Sequence, residues 1–305
     1  MSQYILRRLL WLIPVLLTLS FITFALMHLV PGGPWDREKQ LPPAVVENLN
    51  RKYGLDRPVW LQYLSFVANT LRGDLGISYV HQDRSVTDII LNALPITATL
   101  GLLALILTVA LGLSLGTAAA FHQNSWLDYI CVFYATSFAS IPGFVLGILM
   151  VIIFSVTLHL LPTGGWGTPE KLIMPVIALA SIPAAVLARV TRASTLEVLH
   201  QDYIRTAHAK GLSQHIILYR HTLKNALIPV LTLLGPEVAY LVSGSFIIEN
   251  LFSIPGMGRL FVQGVFARDY GLIMGTVLFY AFVVAVANLV IDVLYGVVDP
   301  RIRYD

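Results

Sequence analysis

Long apolar runs separated by short polar segments set the pattern of this chain. A membrane-spanning helix needs roughly 20 consecutive, mostly apolar residues. Stretches nearly free of Asp, Glu, Lys and Arg supply six, at about 9–30, 96–120, 129–158, 172–192, 226–248 and 270–291. The pattern predicts an all-α integral membrane protein with six transmembrane helices, organised as one domain over residues 1–305. The first run follows Arg7 and Arg8. Its apolar part exceeds the roughly 7–15 residues of a signal-peptide core, and no small-x-small pattern precedes Pro31-Gly32-Gly33-Pro34, so a retained helix is expected.

Two polar segments interrupt the spans, an outer loop at 31–95 and an inner loop at 193–225. In the outer loop, Leu41-Pro42-Pro43 opens a predicted helix, Ala44–Tyr53, closed by Gly54; Arg57-Pro58 starts a second, Val59–Leu71, ending near Gly73. Such helices on the membrane face either receive an external partner or cap the span ends. In the inner loop, Asp202 can cap a short helix and Gly211 stands where a helix needs a residue tolerant of positive φ. Ser213 can cap the next helix, giving a helix-Gly-helix elbow. The small Ala207 and Ala209 would admit a close partner, with Arg205 and Lys210 supplying polar contacts. A basic loop resting on phospholipid headgroups fits the same spacing.

Composition agrees with a membrane protein: 56% of the 305 residues are hydrophobic and 12% charged, and mean hydropathy is +0.75. Soluble domains are about 25% charged. A soluble enzyme, a disordered chain and a nucleic-acid-binding domain are thereby excluded; a net charge of +3 makes no basic patch despite the pI near 9.0. Cys131 alone permits no internal disulfide or Cys-based metal site. Six spans place both termini on one side. Lys and Arg then divide ten to ten, and Arg7 and Arg8 beside the first span put the N-terminus inside.

Glu237 falls within the fifth run, and a carboxyl at membrane depth points to function. It can meet the amino terminus of a peptide, remain protonated, or bond a neighbour such as Tyr240 or Asn288. Pro255, Gly256 and Gly258 bend the chain between the fifth and sixth runs, and Leu260, Phe261 and Val262 suit a short re-entrant or surface helix there. That segment lines a gate or packs a hairpin. His200, His208, His215 and His221 lack the spacing of a metal-binding helix, so no metal is expected. Gly112 and Gly116 form a G-x-x-x-G that permits close helix contact, within the chain or with another subunit.

Thr206-Ala207-His208 to Gly211, followed by Asn225-Ala226-Leu227-Ile228-Pro229, resembles the E-A-A-x-x-x-G…I-x-L-P loop of permease subunits in binding-protein-dependent ABC importers. The oligopeptide and dipeptide branch of that family is closer still. Its likeness lies in Tyr203-Ile204-Arg205-Thr206-Ala207, Lys210-Gly211-Leu212, Arg220-His221-x-Leu223-Lys224-Asn225, Ile248 to Gly258, and Arg268-Asp269-Tyr270. Arg7-Arg8, Pro31-Gly32 and the long outer loop match the B-type inner-membrane subunit. The resemblance implies a type I importer permease fold, multi-pass in the cell membrane with cytoplasmic termini. It makes the elbow a coupling helix for a cytoplasmic ATPase, formed by Tyr203, Arg205, Thr206, Ala207, Lys210, Gly211, Arg220, His221, Asn225 and Pro229. It puts Glu237, Pro255, Gly256 and Gly258 on the substrate path or outer gate. Thr206 stands where the motif has Glu, so no salt bridge assigned to that Glu carries over.

The implied partners are a second homologous permease, two ABC ATPases and an extracytoplasmic substrate-binding protein. No G-x-x-x-x-G-K-[ST] phosphate loop occurs in the sequence, so ATP and Mg belong to the ATPase subunits and no cofactor or catalytic residue is expected here. The cargo implied is oligopeptide or dipeptide; nickel, glutathione and oligosaccharide importers share the branch. An ion-coupled secondary transporter using Glu237 would be favoured by inverted internal repeats with unwound helices at corresponding places, and the sequence shows none. An intramembrane hydrolase would need a Ser and a His at membrane depth. Both leave the elbow motif unexplained.

Overall fold

The computed structural model describes residues 2–35, 41–81, 84–213 and 216–298, and His215, Arg301 and Arg303 lie outside the described residues. In chain order its helices are α1 Ser2–Leu29, α2 Pro43–Tyr53, α3 Val59–Thr70, α4 Val86–Phe121, α5 Trp126–Ser140, α6 Gly143–Met150, α7 Pro169–Leu199, α8 Asp202–Ala209, α9 Leu223–Ser243, α10 Phe246–Leu251, α11 Met257–Phe266 and α12 Tyr270–Val298. An isolated antiparallel bridge, Ile77 with Ser85, is the β structure among the described residues. The sequence reads as one domain. Contacts group the chain into two compact units, Met1–Thr97 with Pro255–Val286, and Ala98–Ile254 with Ala287–Asp305.

In the first unit, Pro43 stands in the first turn of α2, where its fixed φ suits a helix, and Pro58 is the N-cap residue ahead of α3. Tyr63 on α3 reaches α1, where its hydroxyl lies 3.2 Å from the Leu17 carbonyl and 3.0 Å from Ser20 Oγ. Trp35 Nε1 donates to Asn50 Oδ1 at 2.8 Å, and the rings of Trp35, Tyr53 and Tyr79 stack with centroids 4.7 to 5.5 Å apart. The outer loop is shorter than expected, since α4 begins at Val86 and not near 96 and continues through Pro95. Tertiary packing overrides the proline: Val86 and Ile90 are fully buried, and a Cβ on Gly275 of α12 would lie 2.4 Å from Val86 Cγ1.

The second unit is organised around α7, which packs against α5, α6, α9 and α10. Ala178, Ala180, Ala184, Ala185 and Ala188 are all buried on it. Small residues let helices approach closely where lipid supplies no hydrophobic drive. The Gly112–Gly116 motif of α4 serves the same end within the chain: a Cβ on Gly116 would lie 2.5 Å from the Ala188 carbonyl oxygen, and one on Gly112 2.6 Å from the Leu187 side chain.

Among the described residues, Ile5–Leu29, Val86–Phe121, Pro169–Leu199 and Tyr270–Val293 are long and apolar enough to cross a membrane. The third expected span, 129–158, is instead two arms, Trp126–Ser140 and Gly143–Thr157, bent by 101°. Pro142 forces Ile141 into an extended conformation, φ −96° and ψ 122°, and ends the first arm. The fifth, 226–248, stops at Ser243. Gly244 adopts φ 87°, and Ser245 then caps α10 by accepting the Ile248 N–H at 3.3 Å. The straight apolar part of α9, Pro229–Leu241, falls short of a full span by itself.

Candidate functional site

The elbow is built from both sides of Gly211. The α8 helix closes through two backbone bonds, Gly211 N–H to His208 O at 2.9 Å and Leu212 N–H to Ala207 O at 3.3 Å, with Gly211 at φ 74°. This is the Schellman closure, completed by an apolar contact across it. Ile204, Ala207 and Ile217 are buried together, with Val198 and Leu212 packed against them. The inner face of the elbow is therefore a small apolar core joining the end of α7 to the π-helical turn Ile217–Thr222 that leads into α9.

The opposite face is open. Tyr203, Arg205, Thr206, Ala209, Lys210 and Gly211 are exposed, as are Arg220, Asn225 and Pro229, and His221 is half-buried. Asn225 Nδ2 donates to Tyr203 Oη at 2.9 Å and to His221 O at 3.2 Å, tying the first helix of the elbow to the start of α9. Thr206 Oγ1 donates back to Asp202 O at 3.0 Å, satisfying itself where the family motif carries Glu. Ala207 differs from the sequence reading. It is 5% exposed and faces inward, so its small side chain packs the elbow core and is not part of the open face.

Rigid links run from the elbow into the unit. Arg192, on the same α7 that leads into the elbow, binds Asp128 of α5 through Nε to Oδ1 at 2.6 Å and Nη2 to Oδ2 at 2.7 Å. Arg189 Nη2 donates to the Ala135 carbonyl at 3.2 Å. In the sequence Arg189 and Arg192 enter only among the ten inner Lys and Arg residues, and no motif singles out Asp128. The signal was available: an acidic residue in the first turn of one helix and a basic pair in the second half of another.

Glu237 lies in a cleft of about 430 Å³ bounded by α6, α7, α9 and α10, with Phe144, Ala178, Ile182, Pro183 and Ile248 among its walls. It is half-buried, and Tyr240, one turn on, and Ser245 are the polar groups nearest it along the chain in that lining. Pro255, Gly256 and Gly258 belong to the other unit. There Met257 N–H donates to the buried Thr97 Oγ1 at 2.9 Å, fixing the start of α11. The left-handed residue of that bend is Ser253, φ 52°, and not one of the glycines. Among the described residues no group of three or more His, Cys, Asp or Glu comes together to hold a metal ion.

Asp269 is a second node missed at the sequence level. Fully buried, it accepts from Ser78 Oγ at 2.5 Å and from the N–H groups of Tyr79, Val80 and Leu272 at 2.9 to 3.1 Å. It thereby pins residues 78–80 to the start of α12. Burial, and then the Asp269 carboxyl beside it, push the Tyr79 phenol well above its ordinary range, so the phenol stays protonated.

Comparison with known proteins follows the same lines. Residues 111–304 match the family described as "Binding-protein-dependent transport system inner membrane component", and residues 1–101 match "Binding-prot-dependent transport system membrane comp, N-term". The chain is 42% identical to the oligopeptide transport system permease protein OppB of Haemophilus influenzae and 43% identical to that of Escherichia coli K12, over 100% of both chains in each case. It is 41% identical to the dipeptide transport system permease protein DppB of Bacillus subtilis, over 99% of this chain and 98% of the relative. Among solved structures, an inward facing MetNI methionine ABC transporter chain superposes with a TM-score of 0.57 at 18% identity, covering 69% of this chain and 96% of that one. At that identity the likeness is one of fold.

Proposed function

The chain belongs to the binding-protein-dependent transport system inner membrane components, multi-pass permeases of ABC importers, and on that premise we propose that it carries peptides as half of a translocation path. A homologous second permease supplies the other half. Both termini are cytoplasmic, an external binding protein delivers the cargo, and two cytoplasmic ATPases bind and hydrolyse ATP. The observation that carries the peptide reading is full-length identity above 40% to both oligopeptide and dipeptide permeases.

The elbow is the ATPase contact. Its apolar inner core keeps α8, the end of α7 and the start of α9 moving together, while Tyr203, Arg205, Lys210 and the Gly211 turn remain available to a partner. Displacement of the elbow by ATPase closure is passed to α7 directly and to α5 through the Asp128–Arg192 pair. Both α7 and α9 wall the Glu237 cleft, so the same displacement reshapes the path. Glu237, Pro255, Gly256 and Gly258 are the path and gate residues of this reading.

Purification of the tagged chain from its host, followed by reconstitution with whatever accompanies it, tests this. Stoichiometric P-loop ATPases, a second permease and uptake of peptide that requires ATP and the binding protein are expected. A chain that purifies alone and transports without ATP would overturn it.

A further inference from the structure

We propose that Glu237 is the docking point for the terminal ammonium of the peptide in transit, an inference that rests on the peptide-import reading and names what that path recognises. The cleft volume, about 430 Å³, lies within the usual range of about 300–1,000 Å³ for ligand sites. Its walls are apolar except at Glu237, Tyr240 and Ser245, and no Lys, Arg or His is among the lining residues described. At 1.5 Å per residue Glu237 sits about 21 Å along α9 from Leu223, within the apolar stretch Pro229–Leu241.

A carboxyl in such a place is costly unless a cation or a hydrogen-bonding partner arrives. The neighbouring lining supplies hydroxyls but no countercharge, so the cargo is the source of it. Peptides of varied sequence share few charged groups. Their side chains differ and their backbone amides are neutral, but every unblocked peptide carries one ammonium at its amino terminus. An ammonium offers three donors on a point charge, which a carboxylate accepts with stronger bonds than neutral partners make. Glu237 can therefore hold one end of any free peptide, and the apolar walls take side chains without demanding a particular one. The terminal carboxylate of the peptide is directed away by like charge.

The test uses the complete transporter in nanodiscs, without its binding protein. The probes are trialanine carrying a C-terminal photoreactive group, with a free or an N-acetylated amino terminus. Labelling of this chain at subsaturating probe is expected to favour the free peptide about tenfold, the scale of one charged hydrogen bond. Glu237→Gln, assembled with its partners, is expected to label equally with both probes, and Glu237→Asp to keep the preference. Equal labelling of the wild type, or a preference that survives in Glu237→Gln, overturns the proposal. The same wild-type transporter, reconstituted in proteoliposomes with its binding protein, separates the two levels: ATP-dependent uptake with equal labelling removes the ammonium site alone, whereas no ATP-dependent uptake removes the import reading and this site with it.

Discussion

Arg192 of α7 holds Asp128 of α5 by two parallel hydrogen bonds, and Asp128 Oδ2 also accepts the Asn124 N–H at 3.0 Å. Asp128 is 3% exposed and thus depends on these donors. Asn124 reaches it from a left-handed conformation, φ 62°, just ahead of the helix. The pair binds the first arm of the bent α5–α6 segment to the helix that enters the elbow, which on the proposed coupling reading makes it part of the lever as well as of the core.

Removing one partner of such a pair leaves a poorly solvated charge. For buried pairs the cost is roughly 3–5 kcal/mol, and because Arg192 keeps 27% side-chain exposure the lower end applies. Asp128→Ala is expected to cost about 3 kcal/mol, read as a fall in thermal stability in nanodiscs. The double variant Asp128→Ala with Arg192→Met removes the orphaned charge and should recover most of the loss. Wild-type stability of Asp128→Ala would show that the pair contributes little, and an equal loss in the single and double variants would show that the orphaned charge is not the source of the cost.

Asp269 makes a different kind of link. Its two oxygens take four donors, three of them from residues 78–80. Residues 78–80 donate to Oδ2 and Leu272 N–H to Oδ1, and Ala at this position offers neither acceptor. Asp269→Ala should therefore free residues 78–80, at roughly 1–3 kcal/mol. Hydrogen exchange at Tyr79 and Val80 is expected to rise about tenfold or more, with the elbow amides unchanged. Unaltered exchange there would mean that the Trp35, Tyr53 and Tyr79 ring cluster, and not the carboxyl, holds the segment.

Periodicity and punctuation made much of this architecture legible. The helices of the outer loop start at their prolines, and the elbow turns at Gly211, because those signals act within a few residues and no distant contact opposes them. The bend at Ile141-Pro142 was written in the sequence too, but a long apolar run outweighed it in the reading. The start of α4 at Val86 was not legible, since it depends on packing against Gly275 far along the chain. The same holds for the site. Tyr203 with Asn225 and Asp128 with Arg192 are pairs separated by 22 and 64 positions, and nothing local announces them. By size alone Ala207 suits the open face, and it is the turn geometry at Gly211 that points it inward.

Gly211 offers the sharpest separation of conformation from contact. Its φ of 74° is left-handed, and nothing lies within 4 Å of where a Cβ would stand. Any penalty on substitution within this chain is therefore backbone strain, about 1–2 kcal/mol for an L-residue without special tolerance of that region and greater for a β-branched one. Asn tolerates the conformation. Gly211→Val should thus distort the elbow and lose most peptide-stimulated ATP hydrolysis and uptake, with membrane insertion intact, whereas Gly211→Asn should keep most of both. If Asn proves as damaging as Val, strain is not the cause: the open space beside Gly211 is then occupied in the assembled transporter, and the ATPase surface itself must come within reach of a side chain there.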